Sequence, residues 1–277
     1  MPEVWICTSI LNDRGIQGLE EMEAAGRFTT GPWGAPLYCY ESLGSTNDEA
    51  KRLARAGAPH GTAVTARRQT AGKGRLGRSF YSPANAGMYV SVVLRPQIPA
   101  EQSLLITSAA AVAAARAIER VSGVEVKIKW VNDLYFTGKK LCGILSEASL
   151  SADGRPEFII VGIGVNLTRE SFPPQLQEIT TSILESGGRP VTPQVLLEET
   201  VRELLGVCGQ LEERSFLSEY RARSCVIGKQ VRLVGGGNDR MVYALGIDDN
   251  AHLVVQSPKG ECFTVGSGEI SIKGDWR

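Results

Sequence analysis

The stretch Ser103–Val121 limits what this chain can fold into more than any other. It is alanine-rich and contains neither glycine nor proline, so it reads as a long helix. Strand-like runs lie on both sides of it. Gly87–Leu94 (GMYVSVVL) is β-rich and short enough for a buried strand, and in Val124–Trp130 the apolar Val124, Val126, Ile128 and Trp130 alternate with Glu125, Lys127 and Lys129. That alternation predicts a half-buried strand with both lysines on its outer face. Further strands are expected at Leu37–Glu41, Thr62–Ala66 and Phe158–Leu167, and a hairpin-like pair at Leu134–Phe136 and Leu141–Ala148 about a Thr137–Lys139 turn. Helices are expected over 48–56, stopped by Gly57, from Thr192-Pro193 to about Val207, and over Ser215–Arg223. Ser45 with Asp48, or Thr46 with Glu49, has capping-box spacing for the first of these. Strands interleaved with helices give a mixed α/β sheet.

The tail changes character. From about Ser224 it is a series of short β runs (Gln230–Val234, Met241–Asp248, His252–Gln256, Glu261–Thr264) separated by Gly and Asp turns, the pattern of a small β-barrel. At the other end, Met1–Pro36 carries an acidic surplus and one short helix candidate at Leu19–Ala25. A DNA-reading helix-turn-helix needs two packed helices and a basic face, so this segment reads as an N-terminal extension. The expected division is residues 1–36, a main domain over 37–223, and a C-terminal domain over 224–277.

Thr65–Pro83 (TARRQTAGKGRLGRSFYSP) holds the densest positive charge. Arg67, Arg68, Lys73, Arg75 and Arg78 are interleaved with Gly72, Gly74 and Gly77, and no Asp or Glu occurs between Glu49 and Glu101. Glycines let a backbone bend tightly and present its N–H groups, and with Arg and Lys they suit phosphate or another anion. A solvated surface loop would share this composition. With 30 basic and 30 acidic residues overall, the charge is local focusing rather than the surplus of a general nucleic-acid binder. The six cysteines are scattered without a CxxC, and His60 and His252 are the two histidines, so no zinc-ligand spacing exists. The cysteines read as small buried hydrophobes in a reducing compartment. No uninterrupted apolar 18-mer and no signal-peptide pattern are present, which makes cytoplasmic the expected location and a membrane partner unexpected.

Four polar sets could carry chemistry: Ser45-Thr46-Asn47; Gln69 with the Gly72–Arg78 loop; Trp130-Val131-Asn132-Asp133 with Lys139-Lys140; and Gly162–Asn166. The loop lacks the G-x-x-x-x-G-K-[ST] order of a P-loop, no GxGxxG fingerprint follows a first strand, and no G-x-S-x-G elbow supports a hydrolase. An anion-binding enzyme on a mixed sheet is the reading left by spacing. Gly162 and Gly164, two apart, lie on one face and leave space for an approach to the sheet.

Taken in order, STN (45–47), RRQTAGKGRLGRSFYSP (67–83), KIKWVNDLYFTGKKLCGIL (127–145) and GIGVNL (162–167) resemble the biotin–protein ligase family, the biotin–[acetyl-CoA-carboxylase] ligases, from about Leu37 onward. The resemblance implies an α+β fold: a mixed β-sheet with flanking helices, as in class II aminoacyl-tRNA synthetases, plus a small C-terminal SH3-like β-barrel. It implies ATP and Mg²⁺ as cofactors, biotin as substrate, and a biotin carboxyl carrier domain as partner, with monomer and homodimer both open and no DNA partner. It implies that Arg75, Lys140, Lys73 and Asp133 act on the reacting groups. Arg75 would clamp carboxylate and phosphate oxygens, Lys140 would contact the biotinyl carbonyl, and Asp133 is also the candidate metal ligand.

By the same resemblance, Ser45, Thr46, Asn47, Gln69, Gly72, Gly74, Gly143 and Gly162 border biotin, together with Lys73, Arg75 and Lys140. Arg78, Asn132, Asp133 and Asn166, with Lys73 and Arg75, face ATP. Trp130 is expected as a pocket wall or core residue. Two positions depart from the commoner family pattern: Lys73 stands where arginine is common, and Phe80 where tryptophan is common. A lipoate or other acyl-adenylate-forming ligase is the nearest alternative. A nucleic-acid or scaffold-binding module using Arg67–Arg78 is the non-enzymatic one.

Overall fold

The structure is a computed structural model that describes residues 27–234, 240–266 and 268–272. The helix expected at Leu19–Ala25 lies outside the described residues. Strands β1 (Arg27–Thr30), β2 (Pro36–Leu43), β3 (Ala63–Gln69), β4 (Gly87–Leu94), β5 (Lys127–Lys129), β6 (Asp133–Phe136), β7 (Lys139–Leu150) and β8 (Pro156–Asn166) form one sheet in the order β1-β2-β3-β4-β8-β7-β6-β5. The β2–β3 pair is parallel, and the other pairs are antiparallel. The parallel step needs a crossover, which the Thr46–Arg55 helix supplies.

The two faces of the sheet are covered differently. Ile159, Val161, Ile163 and Val165 of β8 join the main core, which includes the Ser103–Ser122 helix. Phe158 and Ile160 point the other way and pack with Ala50, Leu53 and Ala54 of the Thr46–Arg55 helix. The long helix is buried on nearly all sides, with Ala109–Ala115 fully covered, because the Pro193–Gly209 helix packs behind it. Alanine is what permits close packing on both flanks, and larger residues such as Leu105, Ile106 and Ile118 fill the remaining space. Truncating one of those three to alanine costs about 2–5 kcal/mol. Gly123, at φ 80°, ends the helix, its N–H donating to Glu119 O. No helix among the described residues is long and apolar enough to cross a membrane.

After the Phe216–Ala222 helix, β9 (Gln230–Val234), β10 (Arg240–Ile247), β11 (Leu253–Gln256), β12 (Cys262–Val265) and β13 (Glu269–Ile272) make a second, all-antiparallel sheet in the order β12-β11-β10-β9-β13. Its buried Val231, Val242, Leu253 and Val255 are continuous with the main core. Trp130 Nε1 donates to Ala251 O at 3.0 Å, and Arg221 Nε donates to Ile247 O at 2.8 Å, across the same junction. The chain is thus an α+β protein: a mixed sheet with flanking helices, followed by a small β-sheet unit.

Some expectations are corrected. Val124–Trp130 buries alternate residues as its pattern requires, but ladder pairing is confined to Lys127–Lys129. The capping box does not form. Ser45 is the N-cap but makes no side-chain cap bond, Asp48 is drawn to Lys73, and Glu49 binds Arg52 and Tyr40. Thr192, by contrast, caps its helix as expected, accepting from Val195 N. Strands β1 and β13 and the Pro174–Ile179 helix had no strong sequence signal. Cys262 is exposed rather than buried, while Cys142 is fully buried and its thiol is pushed well up by that burial.

Candidate active site

Strand register builds the floor of the site. Ser91, Gly162 and Leu145 lie in one row across β4, β8 and β7, and Tyr89, Gly164 and Gly143 lie in the next. The missing side chains are replaced by groups from elsewhere in the chain. A Cβ on Gly162 would sit 2.1 Å from Asn47 Oδ1, and one on Gly164 would sit 2.5 Å from the Phe80 ring. A Cβ on Gly143 would meet Lys140 Cε and Phe80 Cε2 at 3.0 Å. The glycines therefore let Asn47, Phe80 and Lys140 lie flat against the sheet.

The wall is polar and buried. Ser45, Thr46 and Asn47, each 4% exposed, open the Thr46–Arg55 helix. Gln69 Oε1 accepts from Thr46 N at 2.8 Å and from Thr46 Oγ1 at 3.0 Å, and Gln69 Nε2 donates to Ser82 Oγ at 2.9 Å. Ser45 Oγ is shielded from solvent and has no hydrogen-bond partner in the protein. A buried hydroxyl without a partner costs free energy unless a ligand or water supplies one.

The basic loop forms the roof. Its base is fixed by Gln69 N donating to Ser82 O at 3.0 Å and Phe80 N donating to Gly72 O at 2.9 Å. Its tip turns through Arg75–Gly77, where Gly77 takes φ 74° and Leu76 takes φ 55°. The charged side chains reach four anchoring residues. Lys73 pairs with Asp48, Arg75 donates to Asn132 Oδ1 at 3.0 Å and Gly268 O at 2.9 Å, and Arg78 pairs with Glu269 at 2.7 Å. Lys140 completes the cation set. Its ammonium is 2.7 Å from Asp133 Oδ1, a charge contact without hydrogen-bond alignment, and 5.9 Å from the Phe80 ring centre.

These elements enclose a cavity with a free volume of about 50 Å³. Ser45, Thr46, Asn47 and Gln69 line one side, and Lys73, Gly74 and Arg75 line the roof. Asn132, Lys140, Gly143 and Gly162 complete the expected residues that it gathers. Four others stand off it. Gly72 is packed under Phe80 O, Arg78 is on the outer surface, and Asp133 lies behind Lys140. Asn166, 3% exposed, donates to Thr181 O at 3.0 Å. It shares the face of Gly162 and Gly164, four residues and so about 13 Å along β8 from Gly162. Trp130 is core, 3% exposed. Sequence reasoning missed Asp48, Ser91, Glu147 and Glu269, each of which orients a cavity or loop residue. None of the four carried a sequence signal for this role, because each acts on a partner that only the fold brings beside it.

A polar cavity on a mixed sheet, with Lys73 and Arg75 in its roof and Lys140 beside Gly143, suits an enzyme that brings anionic groups together. The comparisons agree. Residues 40–166 match the model of the biotin/lipoate A/B protein ligase family. The chain is 31% identical over 235 residues to the biotin–[acetyl-CoA-carboxylase] ligase of Mycobacterium tuberculosis, covering 82% of this chain and 85% of that one. It is 32% identical over 252 residues to the bifunctional ligase/repressor BirA of Bacillus subtilis, covering 87% of this chain and 76% of the relative. Among solved structures it is similar to the biotin protein ligase of Aquifex aeolicus in complex with biotin and ATP, with a TM-score of 0.72, 27% identity, and coverage of 86% and 98%. The chain belongs to the biotin–protein ligase family, as the sequence resemblance implied.

Proposed function

We propose that this chain is an ATP-dependent biotin–protein ligase. It joins biotin to ATP as biotinyl-5′-AMP and then passes the biotinyl group to one lysine of a biotin carboxyl carrier domain. In the first step a biotin carboxylate oxygen bonds to the α-phosphorus while the bond from that phosphorus to the bridging oxygen breaks, and pyrophosphate leaves. In the second, the neutral ε-amine of the carrier lysine attacks the acyl carbon. The C–N bond forms, the bond to the phosphate oxygen breaks, AMP leaves and the amine gives up a proton.

One observation carries the reading: three chemically different zones follow one another along one face of β8. Ser45, Thr46 and Asn47 over Gly162 suit a neutral heterocycle such as the ureido ring, with Gln69 beside them. Arg75 and Lys140 come next, beside Gly143. A planar guanidinium fork suits carboxylate and phosphate oxygens, and a fixed ammonium stabilises a carbonyl oxygen as it gains charge. Asn166 stands at the far end, about 13 Å on, where an adenine would lie. That order matches an elongated biotinyl adenylate. Lys73 and Arg78 add positive potential for the phosphates, while Gly72 and Gly74 let the loop approach.

Among the described residues no three His, Cys, Asp or Glu side chains cluster as a metal cage. Mg²⁺ keeps several waters and takes one or two carboxylates plus phosphates, so the donor set suits an ion that arrives with the nucleotide. Asp133 would hold it, with Asn132 nearby, and the ion would offset phosphate charge. The all-antiparallel β9–β13 unit supports an SH3-like barrel, and residues 37–223 and 224–277 are taken as the two domains after an extension over 1–36. The five described cysteines are free thiols, which supports a reducing, cytoplasmic setting. The test is to incubate the purified protein with ATP, Mg²⁺ and a carrier domain, adding biotin or lipoate, and to weigh the carrier. A biotin-dependent mass increment is expected. No increment with biotin, or one with lipoate alone, would overturn the assignment.

A further inference from the structure

Glu147 has no place in the reading above, yet it holds the amide on which the polar wall depends. It lies on β7, two residues beyond Leu145, and its side chain is 25% exposed. Asn47 Nδ2 donates to Glu147 Oε2 at 2.8 Å, with a longer bond to Leu145 O at 3.4 Å, and Lys51 Nζ donates to Glu147 Oε1 at 2.8 Å. Burial opposes the charge on this carboxyl, but the donors from Lys51 and Asn47 outweigh it and hold it below the usual carboxylate range. The carboxylate is therefore an acceptor only, and it accepts from the nitrogen end of the Asn47 amide. The oxygen end must then face Ser91, whose hydroxyl lies 2.6 Å from Asn47 Oδ1.

That choice propagates. Ser91 Oγ is also 2.8 Å from Thr46 Oγ1, and Thr46 Oγ1 is 3.0 Å from Gln69 Oε1. Two hydroxyl protons therefore serve three oxygen–oxygen contacts. Gln69 Oε1 already accepts from Thr46 N. With Asn47 Oδ1 turned inward, the Ser91 proton goes to Asn47, while the Thr46 proton goes to Gln69 Oε1. Thr46 Oγ1 then takes no proton from Ser91 and keeps its lone pairs for the cavity it lines. If the amide were reversed, Nδ2 would donate to Ser91 and Ser91 would donate to Thr46, occupying one of those lone pairs. The carboxylate thus decides which way the donors run along Asn47, Ser91 and Thr46.

We infer that Glu147, supported by Lys51, is a positioning residue that fixes the Asn47 amide and through it the donor and acceptor pattern shown to the ligand heterocycle. This rests on the reading of that cavity as the biotin site. A charge-assisted hydrogen bond contributes more than a neutral one, and glutamine at 147 keeps the shape but leaves the long 3.4 Å bond to Leu145 O as the one fixed acceptor for Asn47 Nδ2, so the amide orientation is held more weakly.

The experiment is a double-mutant cycle on biotin affinity, measured by calorimetry on the full chain with Glu147→Gln, Asn47→Ala and both together. Glu147→Gln is expected to weaken biotin about tenfold in the parent background. In the Asn47→Ala background it should change affinity by no more than about twofold, because the group it acts through is gone. KM for ATP should stay within about twofold of the parent value, since Glu147 sits at the other end of the site. Unchanged biotin affinity in Glu147→Gln, or the same tenfold loss in both backgrounds, would overturn the inference. Should Glu147→Gln not fold, Glu147→Asp runs the same cycle, because the shorter side chain keeps the charge but withdraws it from Asn47, with the same expected and opposing results. Parent protein that fails to bind biotin would sink the ligase reading instead, so the two failures are distinguishable.

Discussion

Replacing Gly162 with alanine strikes the floor of the cavity at its tightest point. The added methyl carbon would lie 2.1 Å from Asn47 Oδ1 and 3.0 Å from Asn47 Cγ. Asn47 cannot simply swing aside. It is 4% exposed, with one amide end tied to Glu147 at 2.8 Å and the other to Ser91 at 2.6 Å. Overpacking a core costs about 1–3 kcal/mol, and a hydrogen bond to a charged group contributes about 1.5–3 kcal/mol. The two do not add, because displacing Asn47 relieves the first by giving up the second, so a net loss of about 2–3 kcal/mol is expected. Urea denaturation measures it as a lower midpoint at unchanged slope. The displaced amide also spoils the polar wall, and biotin affinity by calorimetry should fall about tenfold or more. Gly143→Ala is the contrast. Its methyl meets the ends of two side chains, Lys140 and Phe80, at 3.0 Å, which can yield, so less than about 1.5 kcal/mol of stability should go. A Gly162→Ala protein as stable as its parent and with the same biotin affinity would refute the claim that Asn47 is locked over the sheet.

Arg75→Ala removes the guanidinium that reaches Asn132 and Gly268. Biotin-dependent pyrophosphate exchange should drop about 100-fold or more, with Arg75→Lys recovering only part because an ammonium lacks the planar fork. Gly206 lies inside the Pro193–Gly209 helix, and a Cβ there would meet nothing within 4 Å. Gly206→Ala should therefore raise stability by about 0.5–1 kcal/mol, read as a melting point a few degrees higher. His60 is held below its ordinary 6.5, first by burial and then by the charge of Arg95, whose backbone N–H donates to its Nδ1 at 3.1 Å. The unfolded chain then binds this proton at a higher pH than the folded chain does, so stability falls as pH drops through that ordinary value toward the lower folded one. Denaturation midpoints from about pH 7 downward should decline less in His60→Gln.

What could be read in advance follows from the range of the interactions. Gly87–Leu94 and the Ser103 helix were legible because composition and period within one segment decided them, and observed and expected bounds nearly coincide. β1 was not, since RFTT has no apolar face of its own, with Phe28 63% exposed, and it takes its form from the ladder to β2. The same distinction runs through the site. Motif residues announced themselves because the resemblance spans contiguous runs. Glu147 and Ser91 were invisible because their meaning arises only when β4, β7 and β8 align in register beside the start of a helix. Gly162 and Gly164 were correctly read as space, but it is Asn47 and Phe80 that fill it.

The basic loop divides into a part that is held and a part that is lent. Its base is tied by backbone bonds at Gln69 and Phe80 and by the Thr46–Gln69–Ser82 side-chain chain. Its tip is tied by Arg75 to Asn132 and Gly268 and, on either side, by ion pairs that water reaches. The Lys73 and Asp48 side chains are 41% and 52% exposed, and Arg78 is 65% exposed beside Glu269. Pairs of that kind contribute about 0–1 kcal/mol each. On the proposed reading, a nucleotide phosphate, with more charge and more acceptors than either carboxylate, would compete for the same cations without drawing on the backbone bonds of the base. Lys73 fits this division better than the commoner arginine would. Its ammonium is a point charge on a flexible stem, free to leave Asp48, whereas a fork bonded at two atoms would release less readily. On the proposed reading, positive charge would stay at the roof whether Lys73 faces Asp48 or a phosphate, and the polar wall, bonded through Gln69, depends on neither partner.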